Sequence, residues 1–275
     1  MTSTKDIVLF DSATILLKGP NGTGKTAAAA TFKKHKDGKI YFFDFDGKMD
    51  TVRLMFPEWD IEYGFFGLHN FKEFMDKFER LQDKCDYDTI VIDSFTSLSM
   101  TVVNHQLGVK SVKKNTAGMP VTGWEEINGE TVWIGKMLDI SKVLREYRKK
   151  IVIWTAHPIN KMEIVDGQQI RTRPITAYGP KIGSIAPSAF SEIYHFEVEK
   201  TSLAAGAPLT RVCYTQNTGE DYAKSSLGLP AKLDFTSKYF YDVIKENIGK
   251  VNPMPQHTSP ALSPTVPNLL SKIGG

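Results

Sequence analysis

The sequence predicts an α/β fold in which a mostly parallel central sheet is flanked by helices, with an antiparallel β extension towards the C-terminal end. Two observations lead to this class. Between residues 14 and about 156, strand-like segments alternate with helix-like segments, which is the pattern of a parallel sheet covered by helices. Beyond residue 156 the strand-like segments are separated by short turns, which is typical of antiparallel pairing.

Four apolar runs supply the predicted parallel strands, and the later ones end in polar residues. They cover residues 14–17, 39–44, 89–94 and 150–156. Helices are predicted over 27–34, over 70–82, where aromatic residues recur at spacings of three and four, and over 131–149. The Asp166-Gly167 pair predicts a hairpin over 162–171, and further strands are predicted over 192–199 and 209–216, with a last helix over 239–247.

Composition separates the chain into two regions. Its 275 residues are 41% hydrophobic and 24% charged, which is ordinary for a globular protein. From residue 249 onwards the chain has five prolines and no acidic residue, which predicts a disordered linker or docking segment. We therefore predict one α/β domain over 1–248 and a proline-rich disordered tail over 249–275.

Neither a membrane span nor a disulfide framework is predicted. No apolar run approaches eighteen residues, and the N-terminus lacks the anatomy of a signal peptide. Cys85 and Cys213 lie far apart in unlike contexts, so neither a disulfide nor a zinc site is indicated. We expect a cytoplasmic protein. Its net charge of +3 is only mildly basic, so contacts with nucleic acid would have to come from local patches.

The strongest motif follows the first predicted strand and precedes a helix. It is Gly19-Pro20-Asn21-Gly22-Thr23-Gly24-Lys25-Thr26, which fits G-x-x-x-x-G-K-[ST], the pattern of a phosphate-binding loop. In such a loop the glycines turn backbone N–H groups towards an anion, and the lysine contacts the β- and γ-phosphates. The Thr26 hydroxyl would bind Mg²⁺. The motif predicts ATP and Mg²⁺ as cofactors.

Polar residues at other strand ends complete the predicted site. Asp93 follows a buried strand and is the second predicted magnesium ligand, although an Asp-Ser pair before Phe95 would also cap a helix. Asp46 is the predicted general base, with Asp44 in support. The alternative there is a carboxylate-rich turn. His157 ends the fourth strand at the same edge and is predicted to sense the γ-phosphate, unless it is structural.

In this order, the motifs resemble the core of RecA-type ATPases, and in particular the short phage-encoded RecA-like ATPases of single-strand annealing and recombination. The resemblance covers roughly residues 14–228, including a later stretch over 222–230. It implies that Asp46 occupies the place of the catalytic carboxylate, usually Glu. It likewise implies that His157 occupies the place of the γ-phosphate sensor, usually Gln.

The resemblance also implies that two insertions face single-stranded DNA. The first, over 105–129, offers Lys110, Lys113 and Lys114 together with several glycines, as in a mobile loop that follows phosphates. The second, over 160–181, offers Lys161, Arg171 and Arg173 around the hairpin. A merely solvated loop is the alternative for each insertion.

Assembly is implied by the resemblance as well. Enzymes of this type form homo-oligomers and complete each site with a basic residue from the neighbouring subunit. The lysines expected after the strand at 210–214 are replaced here by Gln216 and Thr218, so Lys181 or Lys224 would have to substitute. Ring and filament both stay open. The proline-rich tail is a candidate for recruiting a single-strand-binding protein.

Other functions fit the sequence less well. Residues 44–47 satisfy the D-x-x-G motif of GTPases and residues 160–163 nearly satisfy N-K-x-D, but the first follows the phosphate loop too closely and the second ends in Glu. A small-molecule kinase would need an arginine-bearing helical lid where this chain has a hairpin. An ATP-gated DNA-binding or loading module would share every residue above and would differ only in turnover.

Overall fold

The computed structural model describes residues 10–109, 124–165, 168–177, 180–200, 207–219 and 221–250. Within these ranges the chain forms an eight-stranded sheet and a separate two-stranded hairpin. No helix in these ranges combines the length and the apolar character that crossing a membrane requires. The predicted boundary between domain and tail at residue 249 stays a prediction, because residues 251–275 lie outside the described part.

The strands confirm the predicted α/β class and its antiparallel extension. In chain order they are β1 (Ala13–Lys18), β2 (Ile40–Asp44), β3 (Glu62–Phe65), β4 (Thr89–Asp93), β5 (Ile151–Ala156), β6 (Lys161–Val165), β7 (Gln168–Thr172), β8 (Glu192–Lys200), β9 (Leu209–Tyr214) and β10 (Lys232–Asp234). The sheet order is β10-β9-β8-β1-β5-β4-β2-β3. The strands from β8 to β3 in this order are parallel, whereas β9 and β10 are added antiparallel. Strands β6 and β7 form the predicted hairpin.

The register brings the predicted site segments to one edge of the sheet. Strand β5 lies between β1 and β4, and Lys18 at the end of β1 is paired with Ala156 at the end of β5. Asp44 at the end of β2 is paired with Asp93 at the end of β4. Because parallel strands end on the same side, the segments that follow β1, β2, β4 and β5 all emerge together, where ligands of open α/β sheets collect.

Helices cover both faces of the sheet. They are α1 (Lys25–Ala30), α2 (Met49–Met55), α3 (Phe71–Arg80), α4 (Phe95–Val109), α5 (Trp124–Arg148), α6 (Pro180–Ile185) and α7 (Phe240–Asn247). Alternate residues of β1 enter two separate hydrophobic clusters. Leu16 packs in the cluster that includes Phe95 of α4, and Leu17 packs in the cluster that includes Ile244 of α7. Burial on both faces explains why the parallel strands read as continuous apolar runs.

The first predicted insertion is shorter than the sequence suggests. A polar loop was expected over 105–129, but α4 continues to Val109 and α5 already begins at Trp124. Gly129 explains part of the error. A Cβ atom at this position would lie 1.9 Å from the Gln106 side chain, so glycine lets α4 and α5 approach closely inside a helix. Lys110, Lys113 and Lys114 fall within 110–123, outside the described residues.

Several elements were missed or misjudged for lack of a pattern. Strands β3 and β10 have four and three residues, too few for a periodicity, and β3 is largely exposed. The first helix ends at Ala30 and continues as a 3-10 turn over Thr31–Lys34. In α5, Val132 is 69% exposed, whereas Ile134 is buried. Helix α2 was not predicted.

Candidate functional site

The predicted phosphate loop, residues 19–26, connects β1 to α1 at the carboxyl edge of the sheet. Its backbone requires glycine. Gly22 and Gly24 have φ angles of +78° and +92°, a region that favours glycine. A Cβ atom on Gly19 would lie 2.4 Å from the carbonyl oxygen of Phe196, so a side chain there would clash with β8. The loop therefore has the local conformation that its motif predicts.

Lys25, the first residue of α1, has its side chain folded back over the loop. Its ammonium group donates hydrogen bonds to the carbonyl oxygens of Gly19, at 2.7 Å, and Pro20, at 2.9 Å. Burial, together with the nearby Lys48, lowers the pKa of Lys25 to about 8. A poorly hydrated cation gains from an anion placed beside it. Phosphate oxygens can therefore replace the two carbonyls favourably.

This pKa predicts how nucleotide affinity depends on pH. Bound phosphates would raise the pKa of Lys25 above its value of about 8 in the free protein, so binding above pH 8 requires uptake of a proton. Full affinity is expected below pH 8, with a loss of up to about tenfold per pH unit above it. Titrations with ATP between pH 7.5 and 9.5 measure this slope. The control is Lys25→Arg, whose guanidinium stays charged and should flatten the slope. A slope unchanged in that variant would contradict the assignment.

Thr26 and Asp93 lie together, as a shared magnesium site requires. The Thr26 hydroxyl donates to Oδ2 of Asp93 at 2.8 Å, and the Thr155 hydroxyl donates to Oδ1. Burial raises the pKa of Asp93 in spite of these hydrogen bonds. A divalent cation favours the ionised carboxylate and prefers hard oxygen ligands. The donor set therefore fits Mg²⁺, held by Thr26 and Asp93, which would neutralise charge on a bound triphosphate.

Ser94, and not Asp93, caps the N-terminus of α4. At the start of α4 the Ser94 hydroxyl accepts a hydrogen bond from the backbone N–H of Ser97, at 3.3 Å, in the manner of an N-cap. Both oxygens of Asp93 are engaged by the threonine hydroxyls of α1 and β5. The Asp93 carboxylate is thus free of the capping role and directed at the phosphate loop.

Asp44 and Asp46 have different tasks in the turn after β2. Asp44 is buried, and its Oδ1 accepts hydrogen bonds from the backbone N–H groups of residues 46, 47 and 48, which fixes the turn. Asp46 projects towards α4 and the phosphate loop. Its Oδ1 accepts hydrogen bonds from the hydroxyls of Ser94, at 3.0 Å, and Ser97, and its Oδ2 accepts one from Lys48 at 2.8 Å. Asp44 therefore supports the position of Asp46.

The charge state of Asp46 follows from these donors. Burial alone would raise its pKa, but hydrogen bonds from His157, Lys48 and Ser97 outweigh burial and hold the pKa well below its usual value. A carboxylate with so low a pKa is a weak base in the free protein. To activate water, Asp46 must first lose some of its donors. Its role as general base stays a prediction.

His157 links the phosphate loop to Asp46. Its Nδ1 lies 3.4 Å from the ammonium group of Lys25, and its Nε2 lies 3.5 Å from Oδ2 of Asp46. A neutral ring that accepts from Lys25 at Nδ1 and donates to Asp46 at Nε2 satisfies both contacts. The structure thus brings Lys25, Asp46, Asp93 and His157 together on one side of the sheet, around the loop that the motif predicts.

A cavity of about 930 Å³ extends from this cluster towards the C-terminal part of the chain. Beside Lys25, Thr26, Asp93 and His157 it is lined by residues that sequence reasoning missed, among them Lys48, Arg211, Phe235, Thr236, Tyr239 and Phe240. Apart from Lys48, which lies in the turn between β2 and α2, these residues come from β9, the segment after β10 and α7, on the far side of β1 from the other strand ends. Only the position of Lys48, two residues after Asp46, gave any signal.

The residues predicted to contact DNA are only partly described. Lys161 begins β6 with an exposed side chain, and Arg171 lies in β7. The guanidinium of Arg173 forms ion pairs with Glu197 of β8 and with Asp221. An arginine with two carboxylate partners gains little from contacting a phosphate, so the structure favours an anchoring role for Arg173.

The two residues predicted to act in a neighbouring subunit lie away from the cavity of their own chain. Lys181 is exposed on α6. Lys224 is partly buried, and its backbone is paired with Ile193 of β8. Neither residue is among those that line the cavity. Their action in a neighbouring subunit stays a prediction.

Arg173 belongs to a buried charge cluster behind the phosphate loop, formed by Lys18, Arg173, His195, Glu197 and Asp221. The Lys18 ammonium group lies 3.3 Å from Asp221 and donates to the carbonyl oxygen of Arg173 at 3.2 Å. His195 donates from Nε2 to the Glu197 carboxylate at 2.8 Å. The spacing of His195, Glu197 and Asp221 would suit a metal ion. We read the cluster as an ion network, because Lys18 and Arg173 already balance the two carboxylates.

Asp221→Asn is expected to destabilise the fold by about 3–5 kcal/mol, because it leaves Lys18 buried without its carboxylate partner. Urea unfolding at neutral pH measures the effect. The matched control is Asp86→Asn, which removes one partner of an exposed ion pair with Lys84 and should cost less than about 1 kcal/mol. Equal losses in the two variants would show that the cluster contributes no more than a surface pair.

Comparison with protein families finds a match to an AAA domain over residues 11–227, more than half of the chain. Among curated proteins, no relative matches the chain. The matched region contains the phosphate loop, the Thr26 and Asp93 pair, and the contacts of His157 with Lys25 and Asp46 described above. The protein is therefore a P-loop nucleotide-binding protein that belongs to the AAA domain family.

Proposed function

We propose that this protein is a RecA-like ATPase that binds ATP with Mg²⁺, binds single-stranded DNA, and promotes annealing or recombination. ATP hydrolysis is the general activity that its family suggests. DNA binding and annealing go beyond the family and depend on how the site is connected to the two basic segments.

The observation that carries the proposal is the double engagement of His157. Its side chain contacts Lys25 and Asp46, where the γ-phosphate would lie. Its backbone carbonyl accepts a hydrogen bond from Thr176 at 2.7 Å, and the N–H of Ile159 donates to Pro174 at 2.9 Å. Residues 174–176 are the return from the β6–β7 hairpin. A movement of His157 on nucleotide binding or hydrolysis would therefore reach the hairpin directly.

A second connection runs through the start of α4. Ser94 and Ser97 hold Asp46, and Thr96 between them accepts the backbone N–H of His157 at 3.1 Å. Helix α4 leads from this turn to residue 109, immediately before the three lysines at 110, 113 and 114. Both basic segments are thus connected, through the backbone or through hydrogen bonds, to residues that surround the phosphate site. This arrangement supports ATP-dependent control of DNA binding.

The proposed DNA-binding residues are Lys110, Lys113, Lys114, Lys161 and Arg171, while Arg173 anchors the hairpin. We further propose a homo-oligomer, ring or filament, in which Lys181 or Lys224 acts on the neighbouring site. The tail over 249–275 would recruit a single-strand-binding protein, and the setting would be the cytoplasm of a phage-infected host. Deleting the tail and repeating a pull-down with such a partner tests that element.

The deciding experiment measures ATP hydrolysis and DNA binding together. Single-stranded DNA should stimulate hydrolysis by the wild type. Changing Lys110, Lys113 and Lys114 to alanine should reduce the slope of log affinity against log salt by about 2. With three phosphate contacts fewer, binding releases fewer counterions from the DNA. The control changes Lys72, Lys84 and Lys142, lysines with exposed side chains on or near α3 and α5, and should leave the slope intact. An equal slope in both triple variants would remove the insertion from the DNA interface.

One observation favours a second candidate, an ATP-gated DNA-binding or loading module without significant turnover. Every oxygen of the Asp46 carboxylate is already engaged in the free protein, and its pKa is lowered. If ATP tightens DNA binding while DNA leaves hydrolysis unchanged, this candidate replaces the ATPase.

A further inference from the structure

Arg211 of β9 is an exposed residue that lies beside the phosphate loop of its own chain. Its backbone N–H donates to the Thr236 hydroxyl at 2.8 Å, and its carbonyl accepts from Phe235 at 3.1 Å. On its other side β9 is paired with β8, with Val198 opposite Arg211. Because the backbone is fixed from both sides, the direction of the side chain is set by the sheet.

The side chain runs across the turn that precedes α1. A Cβ atom built on Gly24 would lie 3.6 Å from Cδ and 3.7 Å from Nε of Arg211, which is ordinary van der Waals contact. Arg211 therefore covers the glycine next to Lys25. Arg211 and Lys25 both line the cavity of about 930 Å³, together with Phe235 and Tyr239.

The charges in the cavity distinguish Arg211 from its neighbours. Lys48 is paired with Asp46, and Lys238 is paired with Glu246. The cavity carboxylate Asp242 is paired with Lys34. Within the described part of the chain, Arg211 and Lys25 are the cavity-lining cations that have no carboxylate partner, and Lys25 is the residue already expected on the phosphates.

We propose that Arg211 is a second cationic ligand of the phosphate chain, supplied in cis, so that a single chain holds the nucleotide from both the loop and β9. The inference rests on the proposed nucleotide binding and names a further residue of that site. Guanidinium groups suit this role, because they stay charged and bind phosphate oxygens through paired N–H donors. With a cis ligand, nucleotide binding, as distinct from hydrolysis, needs fewer cationic residues from a neighbouring subunit.

The test measures binding of a mant-labelled, non-hydrolysable ATP analogue with Mg²⁺, and its displacement by tripolyphosphate. Arg211→Gln should weaken both the analogue and tripolyphosphate about tenfold, since one charge-assisted contact is lost. Arg211→Lys should recover part of this loss because it keeps the charge. The matched control is Arg80→Gln, an exposed arginine on α3, which should bind like the wild type. Thermal melts of all variants check folding.

A mixing experiment tests whether Arg211 acts in its own chain. Combining Arg211→Gln with Lys25→Ala chains should not restore binding, whereas action across subunits would restore it in sites that pair an intact Lys25 with an intact Arg211. Restoration would overturn the cis assignment. An analogue weakened by Arg211→Gln while tripolyphosphate is unaffected would overturn the phosphate contact.

The remaining outcomes separate this inference from the proposed function. In one outcome the wild type binds the analogue, Lys25→Ala loses it, and Arg211→Gln binds it within about twofold of the wild type. Such a change is smaller than the contribution of one charge-assisted contact. Arg211 is then not a ligand, and the conclusion that the protein binds nucleotide stands. If the wild type binds neither the analogue nor tripolyphosphate, both conclusions are wrong. Arg211→Lys keeps the test decisive should Arg211→Gln melt at a lower temperature.

Discussion

Replacing Lys25 with alanine is expected to weaken ATP binding by about a hundredfold and to lower turnover by about a hundredfold to a thousandfold. The ammonium group is the one cation that lies on the loop carbonyls and in contact with His157 in the described chain. Its removal takes away both the charge opposite the β- and γ-phosphates and the donor to the His157 ring. Nucleotide titration and phosphate release measure the two effects.

The fold of this variant should be no less stable than that of the wild type. Burial lowers the pKa of Lys25, which means that the charged side chain is held at a cost in the free protein, and alanine relieves that cost. Thermal melting at pH 7 checks this. Lys72→Ala, in an exposed lysine on α3, serves as the matched control. Near-normal turnover by Lys25→Ala would place the active phosphate site elsewhere in the protein.

The sequence predicts those parts of the fold in which burial produces a recognisable pattern of apolar residues. Strands β1, β2, β4 and β5 are buried on both faces, so each is a continuous apolar run, and each was located to within a residue or two. Strand β3 lies at the edge of the sheet with three of its four residues exposed, and no pattern marks it. Residues 105–109 at the end of α4 and 124–129 at the start of α5 were assigned to a glycine-containing loop, whereas Gly129 serves helix packing.

Some residues of the candidate site could likewise be predicted from the sequence, and others could not. Residues 19–26 form a contiguous motif, and Asp93 and His157 end recognisable strands, so all could be named from the sequence. Ser97 could have been noticed one helical turn after Asp93. Arg211 and Tyr239 reach the cavity from the other side of β1, and no local spacing announces a partner so distant in the chain.

Arg173 shows the limit of counting charges. It was assigned to DNA as one of several basic residues around the hairpin. Its carboxylate partners, Glu197 and Asp221, come 24 and 48 residues later in the chain, so only the tertiary structure brings them together. The number of basic residues in an insertion therefore does not by itself show which of them contact a nucleic acid.

The surroundings of Asp46 in the free protein do not suit its predicted role as general base. The free protein surrounds its carboxylate with the hydroxyls of Ser94 and Ser97, with Lys48 and with His157. These donors make Asp46 a weak base. Bound phosphates would attract Lys25 and Lys48, because both line the cavity, and would thereby remove the Lys48 contact and loosen His157. Nucleotide binding would thus release the carboxylate for a water molecule beside the γ-phosphate.

Asp46→Asn should therefore retain ATP and lose turnover, by about a hundredfold to a thousandfold. Asparagine has the same shape and still accepts the serine hydroxyls, but it has no negative charge with which to polarise water. Binding of ATP is expected to stay within about threefold of the wild type, because no phosphate contact is removed. Titration followed by phosphate release separates the two effects. The matched control is Asp50→Asn, an exposed carboxylate in the first turn of α2, which should change neither. Turnover in Asp46→Asn close to that of Asp50→Asn would mean that the carboxylate only positions His157 and Lys48.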